Sequence, residues 1–465
     1  MDTKVLIYQI LGNLEGYSSV SYEIEDDNFT DSFIKSGLKL SSEALYSYYK
    51  ERKGYEAKII YVCPNSLYKG PDIPKCLTDP ALLAESFRDK ISDISNYKDF
   101  EILPINAIGN YTIGQERFSF KNTPGNVAVQ IFLDIMKKIN ENEEKTTVVT
   151  DMSTGYNIYV TSMLEALRAI IVYDKLRNGI TEKKINAFYA ISEPVTKLSE
   201  ELRYTIRIFI NEYDVKAFFA LPIKPQNLET LCKIEYYVET NPEEKKRICY
   251  ETRDKKTKLK DLLENLIKAF HSIKYNVPLA FYSGLINLDQ EVEVLEKELI
   301  YLFLEKTKPV LNEKTVVVNN LKWKDVFNLF YSLALFKWIS GEMEELAVKD
   351  GVSITEIKER FTKIYSKLDL SLNKRFLERD LNEINNKKNM ITQQWICLKD
   401  LYQEGILEEK KEEALSTSDI KRNFFAHSGF ERTMVEVRKQ NEELELRYIK
   451  DKLPNICKWL SNPEE

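Results

Sequence analysis

Residues 146–160 read TTVVTDMSTGYNIYV. A β-branched run, Thr146–Thr150, meets a turn of small hydroxyl residues and glycine, and a helical pattern follows through Val160–Tyr173. Such a run fits a strand buried on both faces of a sheet. The same unit recurs across the first half of the chain. Short β-branched runs lie at Val5–Ile10, Ala57–Val62, Ile185–Ile191 and Val215–Leu221, and a further helical pattern lies at Val127–Met136. This alternation predicts an α/β domain with a largely parallel sheet. Ligands of such sheets bind in the turns beyond the carboxyl ends of the strands.

The turn from Asp151 to Asn157 has the chemistry of an anion site. Backbone amides and hydroxyls at a helix N-terminus contact phosphate, and Gly155 lets the backbone approach closely. It is not G-x-G-x-x-G, so no dinucleotide fingerprint is present. An ordinary turn capped by Ser153 or Thr154 also fits these residues.

The alternation stops near residue 222, where Pro222 and Pro225 punctuate the chain. Lys233–Thr240, a turn at Asn241-Pro242 and Arg247–Thr252 read as a hairpin. Beyond residue 257 the one strand signal is Thr315–Val318. Long amphipathic patterns cover Leu259–Ile273, Leu288–Leu304, Trp323–Leu346, Ile354–Leu368, Asn382–Gln403 and Thr433–Lys450. The expected organisation is an α/β domain over 1–222, a hairpin connector over 223–258 and an all-α domain over 259–465.

Composition narrows the chemistry. The 465 residues are 43% hydrophobic and 30% charged with a net charge of −6, which suits a soluble globular protein without a broadly basic surface. The basic stretch Lys255–Lys260 fits a solvated helix start. Six cysteines form no C-x-x-C pair, so zinc-ribbon spacing is absent and reduced thiols are expected. MDTKVLIYQI lacks the basic leader and cleavage site of a signal peptide. Val326–Ile339 is too short and too interrupted to span a bilayer. A cytoplasmic location with no membrane partner is expected. Only two histidines occur, His271 and His427.

Ser418–Gly429 reads SDIKRNFFAHSG. Ser418 and Asp419 can start a helix and Gly429 can end it. Asn423 and His427 are four apart, on one helical face, and Arg422 has a stem long enough to reach round. These types suit phosphodiester chemistry: imidazole moves a proton near neutral pH and guanidinium holds phosphate oxygens. RNA brings its own nucleophile, the 2′-hydroxyl, so no metal is required. A surface Arg beside a packed His at a helix end also fits the spacing.

The segment RNFFAHSGFE, Arg422–Glu431, resembles the signature of HEPN ribonucleases, closest to those fused to a CARF sensor domain in type III CRISPR systems (the Csx and Csm accessory ribonucleases). The resemblance implies a Rossmann-like CARF domain followed by an all-helical HEPN domain, the order read above. It implies a CRISPR-associated endoribonuclease of antiviral defence. Cyclic oligoadenylate, taken as the tetra-adenylate, would be the allosteric activator and single-stranded RNA the substrate. No metal or other cofactor is implied. Arg422, Asn423 and His427 are the implied catalytic residues. In the CARF domain, Ser153, Thr154, Gly155 and Asn157 match the family's D-x-[ST]-x-G-x-N ligand turn. Gly12 and Asn13, near Tyr17, Ser18 and Ser19, and Ser192 in Ser192-Glu193-Pro194 match two further ligand turns in position and character. Thr154 stands where many relatives carry His, so that turn offers no imidazole.

His271 sits in KAFHSIK among apolar neighbours and reads as structural. That leaves one imidazole per chain for an acid and a base. A symmetric homodimer, alone or in a larger oligomer of dimers, would set two copies of Arg422 and His427 around one phosphate. The competing readings are a non-catalytic cyclic-nucleotide sensor whose helical half contacts a partner, and a metal-dependent nuclease. For the latter, Glu291 with Glu293, or Glu342 with Glu344 and Glu345, fit solvated helix faces better than ligand sets.

Overall fold

The structure is a computed structural model that describes residues 4–15, 17–26, 32–140, 145–179, 184–193, 203–213, 215, 218, 220–344, 346, 348–402 and 416–464. In chain order the N-terminal half contains β1 (Lys4–Ile10), β2 (Val20–Asp26), β3 (Phe33–Leu38), α1 (Ser41–Ser47), β4 (Glu56–Pro64), α2 (Ile73–Thr78), α3 (Pro80–Ile94), β5 (Phe100–Ile105), β6 (Gly109–Ile113) and β7 (Glu116–Lys121). It continues with α4 (Pro124–Asn140), β8 (Thr146–Asp151), α5 (Asn157–Asn178), β9 (Ile185–Ser192) and β10 (Arg203–Ile210).

Eight of these strands form one sheet in the order β3-β2-β10-β9-β8-β1-β4-β5. The run β9-β8-β1-β4-β5 is parallel throughout. β1 is buried along nearly its whole length, as a central parallel strand covered on both faces must be. One face packs with α1 and α3 and the other with α4 and α5. The chain leaves β1 toward β4 and returns on the other side through β8. The carboxyl ends of β1 and β8 are therefore neighbours at the point where strand order reverses, the usual crevice of such sheets.

The second half contains α6 (Leu228–Leu231), α7 (Ile234–Tyr237), β11 (Val238–Glu239), α8 (Pro242–Glu251), α9 (Arg253–Lys274), α10 (Val292–Lys306), β12 (Val310–Asn312), β13 (Thr315–Val317), β14 (Asn320–Leu321) and α11 (Trp323–Glu342). Then follow β15 (Val352–Ser353), α12 (Ile354–Lys367), α13 (Ser371–Asn385), β16 (Ile396–Cys397), α14 (Thr417–Ala426), β17 (Val435–Gln440), β18 (Glu443–Tyr448) and α15 (Leu453–Ser461). This half is predominantly helical, so the expected order of an α/β domain and then a helical one holds.

The halves share one apolar core. Phe132 of α4 meets Phe327 and Phe330 of α11 edge-on. At the margin, the buried Glu296 of α10 accepts hydrogen bonds from Tyr173 (2.7 Å) and Arg177 (2.8 Å) of α5. A buried carboxylate is tolerated there because it is paired. β7 also pairs in parallel with β13, which ties the β6–β7 hairpin to the helical half.

Four local readings are corrected. Val215–Leu221 is not a strand at its described residues, and the sheet takes Arg203–Ile210 instead. Phe218 has φ +62° and stacks on Phe270 while meeting Trp338, so this apolar run plugs the helical half. The hairpin expected over Lys233–Thr252 is helical. Asn241, taken for a turn residue, is the N-cap of α8: its side chain accepts from the Glu244 amide at 2.9 Å, with Pro242 in the first turn. Thr433–Lys450 is not a helix but the β17–β18 hairpin. Its true period is two, since Val435, Val437, Leu444, Leu446 and Tyr448 point inward, and Asn441 and Glu442 both turn at positive φ. Asn382–Gln403 is helical only to Asn385, then contributes β16 to the small sheet β15-β18-β17-β16. Thr315–Val317 is a strand, in line with expectation.

Among the described residues no helix is long and apolar enough to cross a membrane. All six cysteines are free. Lys255 and Lys260 pair with Glu298 and Glu229 on the surface of α9.

Candidate functional site

The turn after β8 is built from below. Asp151 ends the strand fully buried, and its carboxylate accepts from Ser41 Oγ (2.6 Å) and from the Ser153 amide (3.0 Å). Burial pushes its pKa above the usual carboxylate range. Thr154 turns inward: its hydroxyl donates to the Ile10 carbonyl at 2.7 Å and accepts from Gln9 Nε2 at 3.1 Å. Gly155 sits at φ +97°, where a Cβ would lie 2.7 Å from the Ile10 side chain. Only glycine fits that close crossing of the two strand ends without strain.

The three turns singled out in the sequence converge. A Cβ on Gly12 would lie 3.8 Å from the Gly155 backbone, so the turns after β1 and β8 touch. Ser153 Oγ accepts from the Ser192 amide at 2.8 Å, which joins the turn after β9. Asn13 and Asn157 are exposed at the rim with Tyr156, while Ser192 is buried. Thr154 and Ser153 therefore spend hydroxyl contacts on holding the turns together, and Asn13, Asn157 and the α5 N-terminus face outward. Pro194 lies outside the described residues.

The second constellation closes α14. Ser416, rather than Ser418, is the N-cap, accepting from the Asp419 amide at 3.2 Å. His427 is the C-cap, followed by two left-handed residues, Ser428 (φ +52°) and Gly429 (φ +75°). The Gly429 amide reaches back to the Phe424 carbonyl (2.9 Å). A Cβ at Gly429 would lie 2.8 Å from both Tyr448 and Val277.

Ser428 is buried and anchors this turn. Its hydroxyl donates to Asp380 Oδ2 at 2.6 Å and accepts from Asn276 Nδ2 at 2.8 Å. Arg379 holds the other oxygen of Asp380 with two bonds, at 2.9 and 2.7 Å. Asn423 and His427 share the rim of a cavity of about 340 Å³ that also contains Asp380, Glu383, Tyr402, Glu431 and Arg432. The His427 imidazole is exposed and makes no hydrogen bond among the described residues. Arg422 is exposed and does not line the cavity, so its stem does not bring it round to the face of Asn423 and His427 within one chain.

His271 is structural: its Nδ1 lies 2.6 Å from the Leu460 carbonyl, and burial lowers its pKa. Of the acidic candidates, Glu293 pairs with Arg177 and Lys337, and Glu342 with Lys367. Glu345 lies outside the described residues. Among the described residues no group of three or more metal-ligating side chains is placed to hold an ion. Sequence reading missed Gln9 and Ser41 beneath one turn and Asp380 and Asn276 behind the other. The one signal was a glutamine ending an apolar strand, which must find polar partners once buried.

Two family models match the chain: the CARF domain of CRISPR system endoribonuclease Csx1 over residues 6–194 and the HEPN domain of the same endoribonuclease over residues 370–451. A search of curated proteins finds no match.

Proposed function

The chain belongs to the Csx1-type CARF–HEPN family of CRISPR-associated ribonucleases, and from that premise we propose that it is a metal-independent endoribonuclease switched on by cyclic oligoadenylate. The observation that carries the reading is His427. Its exposed imidazole stands at the end of a capped helix, on one cavity rim with Asn423, and a buried network holds the residue that follows it.

In this reading two protomers bring their α14 ends together around one phosphate of single-stranded RNA. The 2′-hydroxyl gives up its proton and attacks phosphorus. The bond to the 5′-oxygen breaks and that oxygen takes a proton. The products are a 2′,3′-cyclic phosphate and a 5′-hydroxyl. His427 handles the proton or the developing charge. Arg422 neutralises the phosphate oxygens, and Asn423 holds the motif or the RNA backbone. Since Arg422 lies off the cavity, it acts across the pair or along the RNA path.

The activator, taken as the tetra-adenylate, lies in the convergent turns of Gly12, Asn13, Ser153, Thr154, Gly155, Asn157 and Ser192, on the axis of the paired CARF domains. It shifts the helical pair toward the active arrangement by its differential affinity for that state. A gel assay of labelled RNA with and without cyclic tetra-adenylate, and with and without EDTA, tests this. Activated cleavage that survives EDTA and disappears in His427→Ala is expected. Cleavage lost in EDTA, or retained by His427→Ala, would overturn the catalytic assignment.

A further inference from the structure

Beyond the reacting phosphate, we propose that the cavity beside His427 is a nucleobase subsite that selects an amino-bearing base over uracil at the nucleotide adjoining the cleaved bond. The inference rests on the ribonuclease reading and deepens it. Its grounds are the cavity's shape and charge.

The cavity, about 340 Å³, is at the small end of ligand-sized sites and suits one planar group. Its lining carries three carboxylates, Asp380, Glu383 and Glu431, against one guanidinium, Arg432. That balance repels a phosphate, so the phosphate stays outside, toward the rim of His427 and Asn423. A base edge with an exocyclic amine is the part of RNA that seeks carboxylate acceptors.

The acceptors are not equivalent. Asp380 is committed to Arg379 and Ser428. Glu383 stands 3.7 Å from Arg432. Glu431 is 5% exposed, and its Oε2 accepts from the Thr433 amide at 2.7 Å and from the Thr433 hydroxyl. Its Oε1 accepts no hydrogen bond among the described residues, although Glu431 borders the cavity. A buried acceptor with spare capacity beside an open cavity is a recognition atom for an N–H donor. Uracil offers its O4 in place of that amine and leaves Oε1 facing a carbonyl.

The wall supplies stacking. The Arg432 guanidinium lies 3.7 Å from the centre of the Tyr402 ring, and half of the Arg432 side chain remains exposed. A guanidinium layered on an aromatic ring offers its other face to a base. In the cavity such a base meets Arg432 on its face and Glu431 on its amine.

The experiment uses the full chain with cyclic tetra-adenylate and oligouridine strands carrying one adenosine, cytidine or guanosine. Cleavage position and kcat/KM are read for each. Wild type is expected to cut at the phosphate adjoining the single amino-bearing nucleotide about tenfold or more faster than within uridine. Glu431→Gln, which keeps the size and removes the full acceptor, should bring that ratio toward one. Arg432→Ala should raise KM for every strand. Wild-type ratios near one would overturn the subsite, as would a ratio untouched by Glu431→Gln in a variant that still cuts RNA. His427→Ala separates the two readings. If wild type cuts, His427→Ala does not and the ratios are flat, only the subsite falls. If wild type cuts no strand, the ribonuclease reading falls with it.

Discussion

Replacing Ser428 by alanine probes the turn that presents His427. The hydroxyl makes two buried bonds, donating to Asp380 at 2.6 Å and accepting from Asn276 at 2.8 Å. Asn276 keeps a second acceptor, the Asn373 carbonyl at 3.1 Å, so its loss is partial. Asp380 keeps Arg379 on Oδ1 but is left with an unfilled, buried Oδ2. A hydrogen bond to a charged partner contributes about 1.5–3 kcal/mol, so the turn should lose about 2–3 kcal/mol. Alanine meets φ +52° no more easily than serine does, so backbone strain is unchanged. The assay is native-state hydrogen exchange at the Gly429 and Phe430 amides, which bond back to Phe424 and His427. Protection there should fall about 30- to 150-fold. Since a misplacement near 1 Å can cost about a hundredfold in rate, kcat should drop more than KM. Protection within threefold of wild type, with kcat unchanged, would refute the argument that this network positions His427.

Three other outcomes are expected. Gly155→Ala places a Cβ 2.7 Å from Ile10 at φ +97°. Steric overlap and strain of about 2–4 kcal/mol should weaken cyclic tetra-adenylate binding in calorimetry by at least tenfold while the helical half keeps its circular dichroism. His271→Ala removes a buried ring bonded to the Leu460 carbonyl. Urea unfolding should show a loss of about 2–4 kcal/mol, with kcat within twofold of wild type under folding conditions. Asp174, buried between α5 and β9, has its pKa pushed up to about 6 by desolvation. A raised carboxyl favours the folded state when protonated, so its contribution is present below about pH 4 and lost as pH rises through about 6. Asp174→Asn should flatten the pH dependence of urea stability across that window, and a profile identical to wild type would remove Asp174 as its source.

Much of the fold was legible. The runs Val5–Ile10, Ala57–Val62, Thr146–Thr150 and Ile185–Ile191 are all strands of the large sheet, because a strand buried on both faces must be apolar along its length. α4, α5, α9 and α11 were legible from their apolar spacing. Reading failed where two signals share residues. Asn-Pro marks a turn or a helix start, and Asn241-Pro242 is a start. The alternation around Val435 and Leu446 was mistaken for a helical period because charged residues occupy every other position. Phe218 reads as strand in isolation, but the helical half offered its ring Phe270 and Trp338.

The sequence by itself determined the chemistry at the two turns. It placed a glycine where strand ends cross, a helix whose last residues are Asn423 and His427, and a single accessible imidazole. These are local facts, governed by caps, periodicity and side-chain type over a few residues. Tertiary structure alone decided what stands behind them. Ser428 meets Asp380 from 48 residues away and Asn276 from 152, and Thr154 meets Ile10 across 144. It also decided that Arg422 faces away from the cavity holding Asn423 and His427. The physical reason is the same in each case. A buried polar group must find a partner, but which partner depends on how distant segments pack, and that choice is made by the whole core rather than by the motif.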